Sequence, residues 1–425
     1  VRAIFLPDDT STTRPWDHFT IAVIPDTQNY AASDPAIFDT QTQWVADHAK
    51  SENIVFVSHL GDLVEVYSSD AQWQSARDSM SIIRASGLPY SVVPGNHDLH
   101  GTTDDLTQYD TYFPYTAFTG YAWYQGHFPA ASNANSYQLF SAMGQDFIVL
   151  NLASDGSLFA AATSWANEVL TTHSDRKAIV VTHGYINSTG AYLTGDTAEG
   201  QGIWDNVASQ HANVIAVLCG HWAGEYRRTD YGVNGNTVYT LLSDYQDEPN
   251  GGNGWLRLYE FYPLEDKIRA VTYSPYLDAY QTDVDSEFEL ALDMDAVGLR
   301  PDWNLVAGGP GTAFPSALFG WNGSTFTSAP SPVAWKGYWT KVSGQESMLV
   351  GLDTVSGPHT VDLATGWNLI GNPMATTAAL TLPAGRTAFY YNASLSRYVS
   401  TTSLASGQGA WVNGMMGETV SFMGL

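Results

Sequence analysis

The feature that most constrains this chain is a recurrence: five short, β-branched apolar runs, each broken off by polar residues and, in three cases, glycine. Phe19–Ile24 stops at Asp26-Thr27-Gln28, and Ile54–Val57 leads into Gly61-Asp62. Tyr90–Val93 runs into Gly95-Asn96-His97-Asp98, Ala178–Val181 into Thr182-His183, and Val214–Leu218 into Gly220-His221. Runs of this length and composition suit strands buried on both faces, and Phe147–Leu152 has the same texture. Between them the spacing predicts helices over 71–86, 164–171 and 203–210. The first places Trp73, Ala76, Met80 and Ile83 on one face, with Ser69 and Gln72 as a capping pair and Gly87 as the stop. Strand–helix alternation of this kind defines an α/β domain. Loops at the carboxyl ends of parallel strands share one crevice. The pattern therefore predicts that Asp26, Asp62, Asn96, His183 and His221 meet.

The chain has 425 residues, enough for two or three domains at roughly 100–200 residues each. From about residue 295 the helical pattern gives way to short strand-sized pieces rich in Gly, Ser, Thr, Trp and Pro. The expected division is residues 1–18 as an extension, 19–295 as the α/β domain, and 296–425 as a β-rich module. That module contains a repeat: Asp302-Trp303-Asn304-Leu305-Val306 recurs as Gly366-Trp367-Asn368-Leu369-Ile370, and Lys336-Gly337-Tyr338-Trp339 as Gln408-Gly409-Ala410-Trp411. Trp303 and Trp367, flanked by Leu, are expected in its core. Exposed Trp elsewhere in it would suit contact with a glycan or a cell surface.

Charge and cysteine usage narrow the partners. Acidic residues number 43 against 17 basic ones, a net charge of -26, which excludes a nucleic-acid polymer as the bulk partner. The lone Cys219 excludes an intrachain disulfide and a thiolate zinc site. No apolar run approaches the ~20 residues of a membrane span. Scarce lysine and a surface of Ser, Thr, Asn, Gly and Asp point to a secreted or periplasmic bacterial protein, the signal peptide being absent from this chain.

Taken singly, an Asp after a strand is most often a helix cap, and a His there a hydrogen-bonded structural residue. Five such clusters, each at a strand end, outweigh that reading. Their mixture of oxygen and imidazole donors suits Mn, Fe, Zn or Co better than Ca or Mg.

In order and type these clusters resemble the calcineurin-like metallophosphoesterase family, whose motifs are D-x-H, G-D-x-x-D, G-N-H-D/E, a lone His, and G-H-x-H. The counterparts are Asp26-Thr27-Gln28, Gly61-Asp62-Leu63-Val64-Glu65, Gly95-Asn96-His97-Asp98, His183 and Gly220-His221-Trp222-Ala223. Over residues 19–295 the resemblance implies a two-sheet sandwich flanked by helices, with two divalent transition-metal ions on its strand-end loops. It implies that Asp62 bridges both ions, that Asn96, His183 and His221 complete the second site, and that Asp26 belongs to the first. His97 would contact the phosphate and assist the leaving oxygen, with Asp98 orienting it. The implied activity is hydrolysis of phosphomonoesters or phosphodiesters, small organic phosphates or nucleotides, by in-line attack of a metal-bound hydroxide.

Two departures fall on the first metal site. Gln28 replaces a His, as in a secreted bacterial branch with D-x-Q, and its amide oxygen can still ligate. Ala223 replaces a second His and cannot. Either that site is weak, or another residue takes over, or the chain is an engineered His→Ala variant, the reading the intact motif frame favours. Glu65 is a candidate to compensate, directly or by bracing a ligand. His59 is expected to hydrogen-bond a group of the metal site. Asn29, Tyr30, Tyr67, His100 and Tyr185 lie near the loops as candidate substrate contacts, and Tyr245-Gln246-Asp247 with Gly251-Gly252-Asn253-Gly254-Trp255 as a candidate rim. The rival reading is a degenerate relative that binds metal and ligand without turnover.

Overall fold

The computed structural model describes residues 18–424, less 101–104, 144, 175, 196–198, 264, 293, 295, 300–301, 310–311, 313, 315, 330, 343–345, 350–357, 375–377, 393–396 and 406. All but the last residue of the expected N-terminal extension therefore lies outside the described residues. Fourteen strands up to residue 291 form two mixed sheets. The first contains β1 (Phe19–Ile24), β2 (Ile54–His59) and β3 (Tyr90–Ser91). The second contains β4 (Tyr124–Phe128), β5 (Asn135–Ala142), β6 (Gln145–Leu152), β7 (Lys177–Thr182), β8 (Val214–Cys219), β9 (Gly224–Tyr231) and β10 (Thr237–Asp244). The chain then returns to the first sheet with β11 (Leu256–Tyr262), β12 (Lys267–Ser274), β13 (Ala279–Gln281) and β14 (Phe288–Ala291).

Strand order is β13-β12-β11-β1-β2-β3 in the first sheet, with β14 pairing β12, and β4-β5-β6-β7-β8-β10-β9 in the second. Each sheet has a parallel centre: β1, β2 and β3 in one, β6, β7, β8 and β10 in the other. Those centres are the runs that read as buried on both faces, because each sheet is covered twice. Phe19, Ile21 and Val23 point inward with Phe147, Val149, Ile179, Val181 and Phe261, forming the layer between the sheets. The alternate residues Ala22 and Ile24 face outward onto Phe38, Trp73 and Ile83 of the helices Pro35–His48 and Asp70–Ser86. On the far side Ile148, Leu150 and Val180 pack against Ala162, Ala166 and Leu170 of the helix Gly156–Thr172. The architecture is a two-sheet sandwich flanked by helices.

The helix signals were specific. Ser69 Oγ accepts from Gln72 N at 3.4 Å, and Gly87 ends the helix at φ 83. The Gln72 side chain, however, takes the N–H groups of Glu65 (3.0 Å) and Val66 (2.8 Å), so this helix start also anchors the loop that follows Asp62. The helix expected over 203–210 ends at Asn206 and continues as a 3₁₀ turn over Ala208–Gln210. The strand expected over Tyr90–Val93 pairs only through Tyr90 and Ser91.

From residue 296 onward the described segments form only antiparallel sheets. Asp302–Ala307 pairs with Gly337–Val342, and Gly366–Gly371 with Gly409–Gly414, in the same register. The two repeats touch reciprocally. Val306 bridges Gln408 while Lys336 bridges Ile370, and Ala307 N donates to Gly407 O (2.7 Å) while Gly371 N donates to Trp335 O (3.0 Å). A Cβ on Gly371 would lie 2.2 Å from that of Ala307, which explains glycine there. The core placement expected for Trp303 and Trp367 is corrected: they are 40% and 49% exposed. Each begins its strand ahead of the buried stretch and lies edge-on to a neighbouring Trp, Trp339 or Trp411, so the repeat duplicates an exposed aromatic position.

Phe261 stacks on Phe19 at 4.9 Å and meets Phe147 edge-on at 5.5 Å, at the centre of the layer between the sheets. Phe261→Ala is expected to destabilise the chain by about 3–5 kcal/mol, read from the shift of its urea unfolding midpoint at unchanged slope.

Candidate metal centre

Five of the six sequence-predicted ligands sit where a parallel strand ends, and the sixth, Gln28, opens the short helix Gln28–Ser33. The first sheet contributes Asp26 after β1, Asp62 after β2 and Asn96 after β3; the second contributes His183 after β7 and His221 after β8. The site therefore straddles the two sheets, acids and amide from one and imidazoles from the other. The backbone is bent to achieve this. Asp26, Asp62 and His221 have φ of 32, 50 and 72, in the left-handed region that non-glycine residues enter at a cost and mainly at functional sites.

The geometry centres on His183. Its Nδ1 donates to the Leu60 carbonyl at 2.9 Å, which fixes the ring. Its Nε2 faces Asp62 Oδ2 at 3.2 Å, Asn96 Oδ1 at 3.1 Å and His221 Nδ1 at 3.2 Å. Asp62, His183 and His221 present ligand atoms all within 4.8 Å of one another. On the other side Asp26 Oδ1 lies 3.6 Å from His183 Nδ1 and accepts from His221 N at 2.9 Å.

Glycines stand where the chain passes against these carboxylates. A Cβ on Gly95 would lie 2.1 Å from Asp62 Oδ1, one on Gly220 2.0 Å from Asp26 Oδ2, and one on Gly61 2.8 Å from His183 Nδ1. The glycine before each of Asp62, Asn96 and His221 is thus a packing requirement of the site.

The electrostatics call for a cation. Burial drives the Asp26 carboxyl well above its usual range, and the neighbouring Asp244 and Asp62 add to the effect. Burial opposes charge on Asp62 too, but His183 holds its pKa below the usual value. Burial would depress His183, yet Asp62 and Asp26 outweigh it and push the ring up to about 10. Burial lowers His221 to about 4, with His183 acting in the same direction. Convergent lone pairs, an excess of buried carboxylates and Asp26 Oδ2 without a hydrogen-bond partner all fit a divalent ion.

The remaining expectations divide. His59 bonds no ligand directly: it donates from Nε2 to Thr27 Oγ1 (2.9 Å) and accepts from Gly61 N (3.2 Å), tying the two ligand loops together. Burial lowers its pKa to about 3, so it does this as the neutral ring. The orientation of His97 by Asp98 is not seen. Asp98 accepts instead from the backbone N–H groups of Leu63, Val64 and Gly95 at 2.9–3.2 Å, stitching one ligand loop to the next. The His97 ring donates from Nδ1 to the Glu65 carbonyl (2.9 Å), and its backbone N bonds Asp62 Oδ1 (2.9 Å). Glu65 thus braces His97, with its carboxylate 3.5 Å from the ring. Asn29 bonds the Gln246 carbonyl, Tyr67 OH accepts from Gln108 N, and His100 packs on the Tyr67 ring. Tyr30 and Tyr185 are core residues. The expected rim divides: Tyr245 and Asp247 line a cavity beside the site, while Gly251 and Gly252, both at positive φ, stand against Asn29 and Tyr30.

Sequence reasoning missed Asp244. It ends β10, beside β8, and pairs with Gly224, next to Ala223. The signal was the one used elsewhere, an apolar strand broken by an acid, on a strand the reading did not pick out. Asp244 accepts from the backbone and side-chain nitrogens of Gln246, both at 2.9 Å, and burial raises its pKa to about 7. A cavity of about 400 Å³ opens here, lined by Ala223, Asp244, Asp247, Glu248 and Asp283 among others. In its wall Glu225 pairs with the buried Arg257 and accepts from Tyr245, Thr272 and Ser286.

Residues 19–225 match the calcineurin-like phosphoesterase family. Over that segment the chain is similar to the members of that family. Among curated proteins, the uncharacterized protein YvnB of Bacillus subtilis is 36% identical over 290 residues, covering 65% of this chain and 22% of that protein. A probable cyclic nucleotide phosphodiesterase of Moraxella catarrhalis is 25% identical over 172 residues, 38% of this chain and 55% of that one. This chain thus spans less than two-thirds of either relative. Among solved structures, a dimetal phosphatase from Danio rerio shares 13% identity, with 64% of this chain and 98% of that one covered at a TM-score of 0.39.

Gly95→Ala forces its methyl onto Asp62. It is expected to weaken manganese binding by about 10–100-fold, measured by calorimetric titration, with the far-ultraviolet circular dichroism unchanged.

Proposed function

We propose that the chain hydrolyses small phosphate esters with the help of two divalent cations. The observation that carries this reading is the convergence of Asp62, Asn96 and His221 on His183 Nε2, between two sheets and beside an open cavity. Asp62, Asn96, His183 and His221 would hold one ion, and Asp26 with Gln28 would hold the other, sharing Asp62. Bound there, divalent cations supply Lewis acidity toward phosphate oxygens and lower the pKa of water. The chain's own contribution is positioning and proton transfer. His97 Nδ1–H donates to the Glu65 carbonyl, and although burial opposes charge, Asp62 and that carbonyl raise the pKa of the ring, so that as the imidazolium it keeps an Nε2–H to hand to the departing oxygen. Asp98 keeps that loop fixed relative to Asp62 through its backbone bonds.

The acidic cavity wall supports a diester over a monoester, because a singly charged phosphate meets less repulsion from Asp244, Asp247, Glu248 and Asp283 than a dianion. Scarce lysine and the polar composition support an exported location. The rival, a protein that binds metal and ligand without turnover, draws its support from Ala223, which has no donor atom where the family places a His. Metal uptake without hydrolysis, both in this chain and after Ala223→His, would establish that rival.

The test is hydrolysis of an aryl phosphodiester, an alkyl phosphodiester and an aryl monoester with added manganese. Turnover should vanish with chelator and return with metal, and should favour the diesters. His97→Ala should lower kcat on the alkyl diester by about 10²–10⁴-fold, and much less on the aryl diester, whose leaving oxygen needs little protonation. Equal losses on both would remove His97 from the proton-donor role.

A further inference from the structure

Gln28 and Gln246 occupy the side of the site from which two imidazoles are missing. The Gln28 amide contacts Asp62 Oδ2 at 3.3 Å and the Gln246 side-chain oxygen. Gln246 cannot turn freely, since its Nε2 donates to Asp244 Oδ2 and its backbone N to Asp244 Oδ1. Asp244 therefore aims the Gln246 oxygen at Gln28. One orientation of Gln28 places its NH2 group on the carbonyls of Asp26 (3.1 Å) and Asp62 (3.3 Å), and its oxygen then joins those of Asp62 and Gln246. Oxygens gathered in this way repel unless a cation lies among them. A second, independent observation points to the same ligand: Asp26 is 2% exposed, and its Oδ2 has no hydrogen-bond partner.

We infer that Asp26, Gln28, Asp62 and Gln246 form an all-oxygen cation site, with Asp244 as the residue that positions Gln246. It rests on the two-cation reading above and replaces the missing imidazoles with amide oxygens. Its consequence is a division of metal preference. Carboxylate and amide oxygens select hard cations such as Mg, Ca or Mn, whereas the two imidazoles of the neighbouring site favour Zn, Fe or Co. The protein is then a mixed-metal centre, and Ala223 marks a change of ligand chemistry on that side.

The test is sequential titration of the chelator-stripped full chain, first with one equivalent of Zn and then with Mg or Mn, followed by calorimetry and, for Mn, by electron paramagnetic resonance. The expected result is one tight Zn and one further hard cation per chain. Gln246→Ala should weaken the hard cation at least tenfold and leave Zn affinity unchanged, which also shows that the variant is folded. His221→Ala should do the reverse, losing Zn first. Uptake of one ion only, or hard-cation affinity unmoved by both Gln28→Ala and Gln246→Ala, overturns the site. Hydrolysis is measured on the same samples: two ions bound without turnover upholds the site and removes the phosphoesterase reading, while turnover with a single ion bound removes the site and spares that reading.

Discussion

The structure turns on the cross-sheet contact of His183 with Asp62 and Asp26. These three side chains are almost fully buried, and ionised groups in such a place cost several kcal/mol each unless partners compensate. The compensation is built from both sheets. Asp62 belongs to the strand ends of the first sheet and His183 to those of the second, so the ion pair joins the two parallel centres at one edge of the sandwich. The apolar layer between the sheets sets their separation, and the polar edge sets what meets there. Left-handed backbone at Asp26, Asp62 and His221, and glycines against their carboxylates, are the local concessions that permit this approach.

Much of this was legible in the sequence, for a physical reason. A strand buried on both faces must be apolar throughout, so the residue that breaks the run marks where the strand leaves the sheet. In a parallel centre those exits share one edge, so the breaks at Asp26, Asp62, Asn96, His183 and His221 announced a common location before any coordinates. The helix Asp70–Ser86 was legible because its apolar stripe, cap and stop agree. The helix Pro35–His48 was not, because its buried face includes Gln41 and Thr42, whose polar groups are bonded inside: Gln41 to the Trp255 carbonyl at 2.7 Å and Thr42 to its own helix.

What the sequence concealed concerns partners distant along the chain. Nothing local says that the carboxylate of Asp98 serves backbone N–H groups while His97 turns to the Glu65 carbonyl, since both depend on how two loops dock. Asp244 was hidden differently. It ends a strand outside the five-cluster pattern, and its bearing on the site, with that of Gln246, which the sequence offered only as rim, appears when β10 is seen beside β8. Trp303 and Trp367 show the limit of composition: a large aromatic beside Leu reads as core, but strand alternation and the start of the strand leave both partly in solvent.

The reciprocal contacts of the two repeats carry a consequence for how such a module holds together. Val306 meets Gln408 as Ile370 meets Lys336, so each half finishes main-chain edges that the other would leave bare. A solitary copy would present the same unpaired edges to another molecule of itself, and uncovered edges of that kind invite self-association. The pseudo-symmetric pair therefore closes on itself, each repeat acting as the partner that a solitary copy would have to find in another molecule.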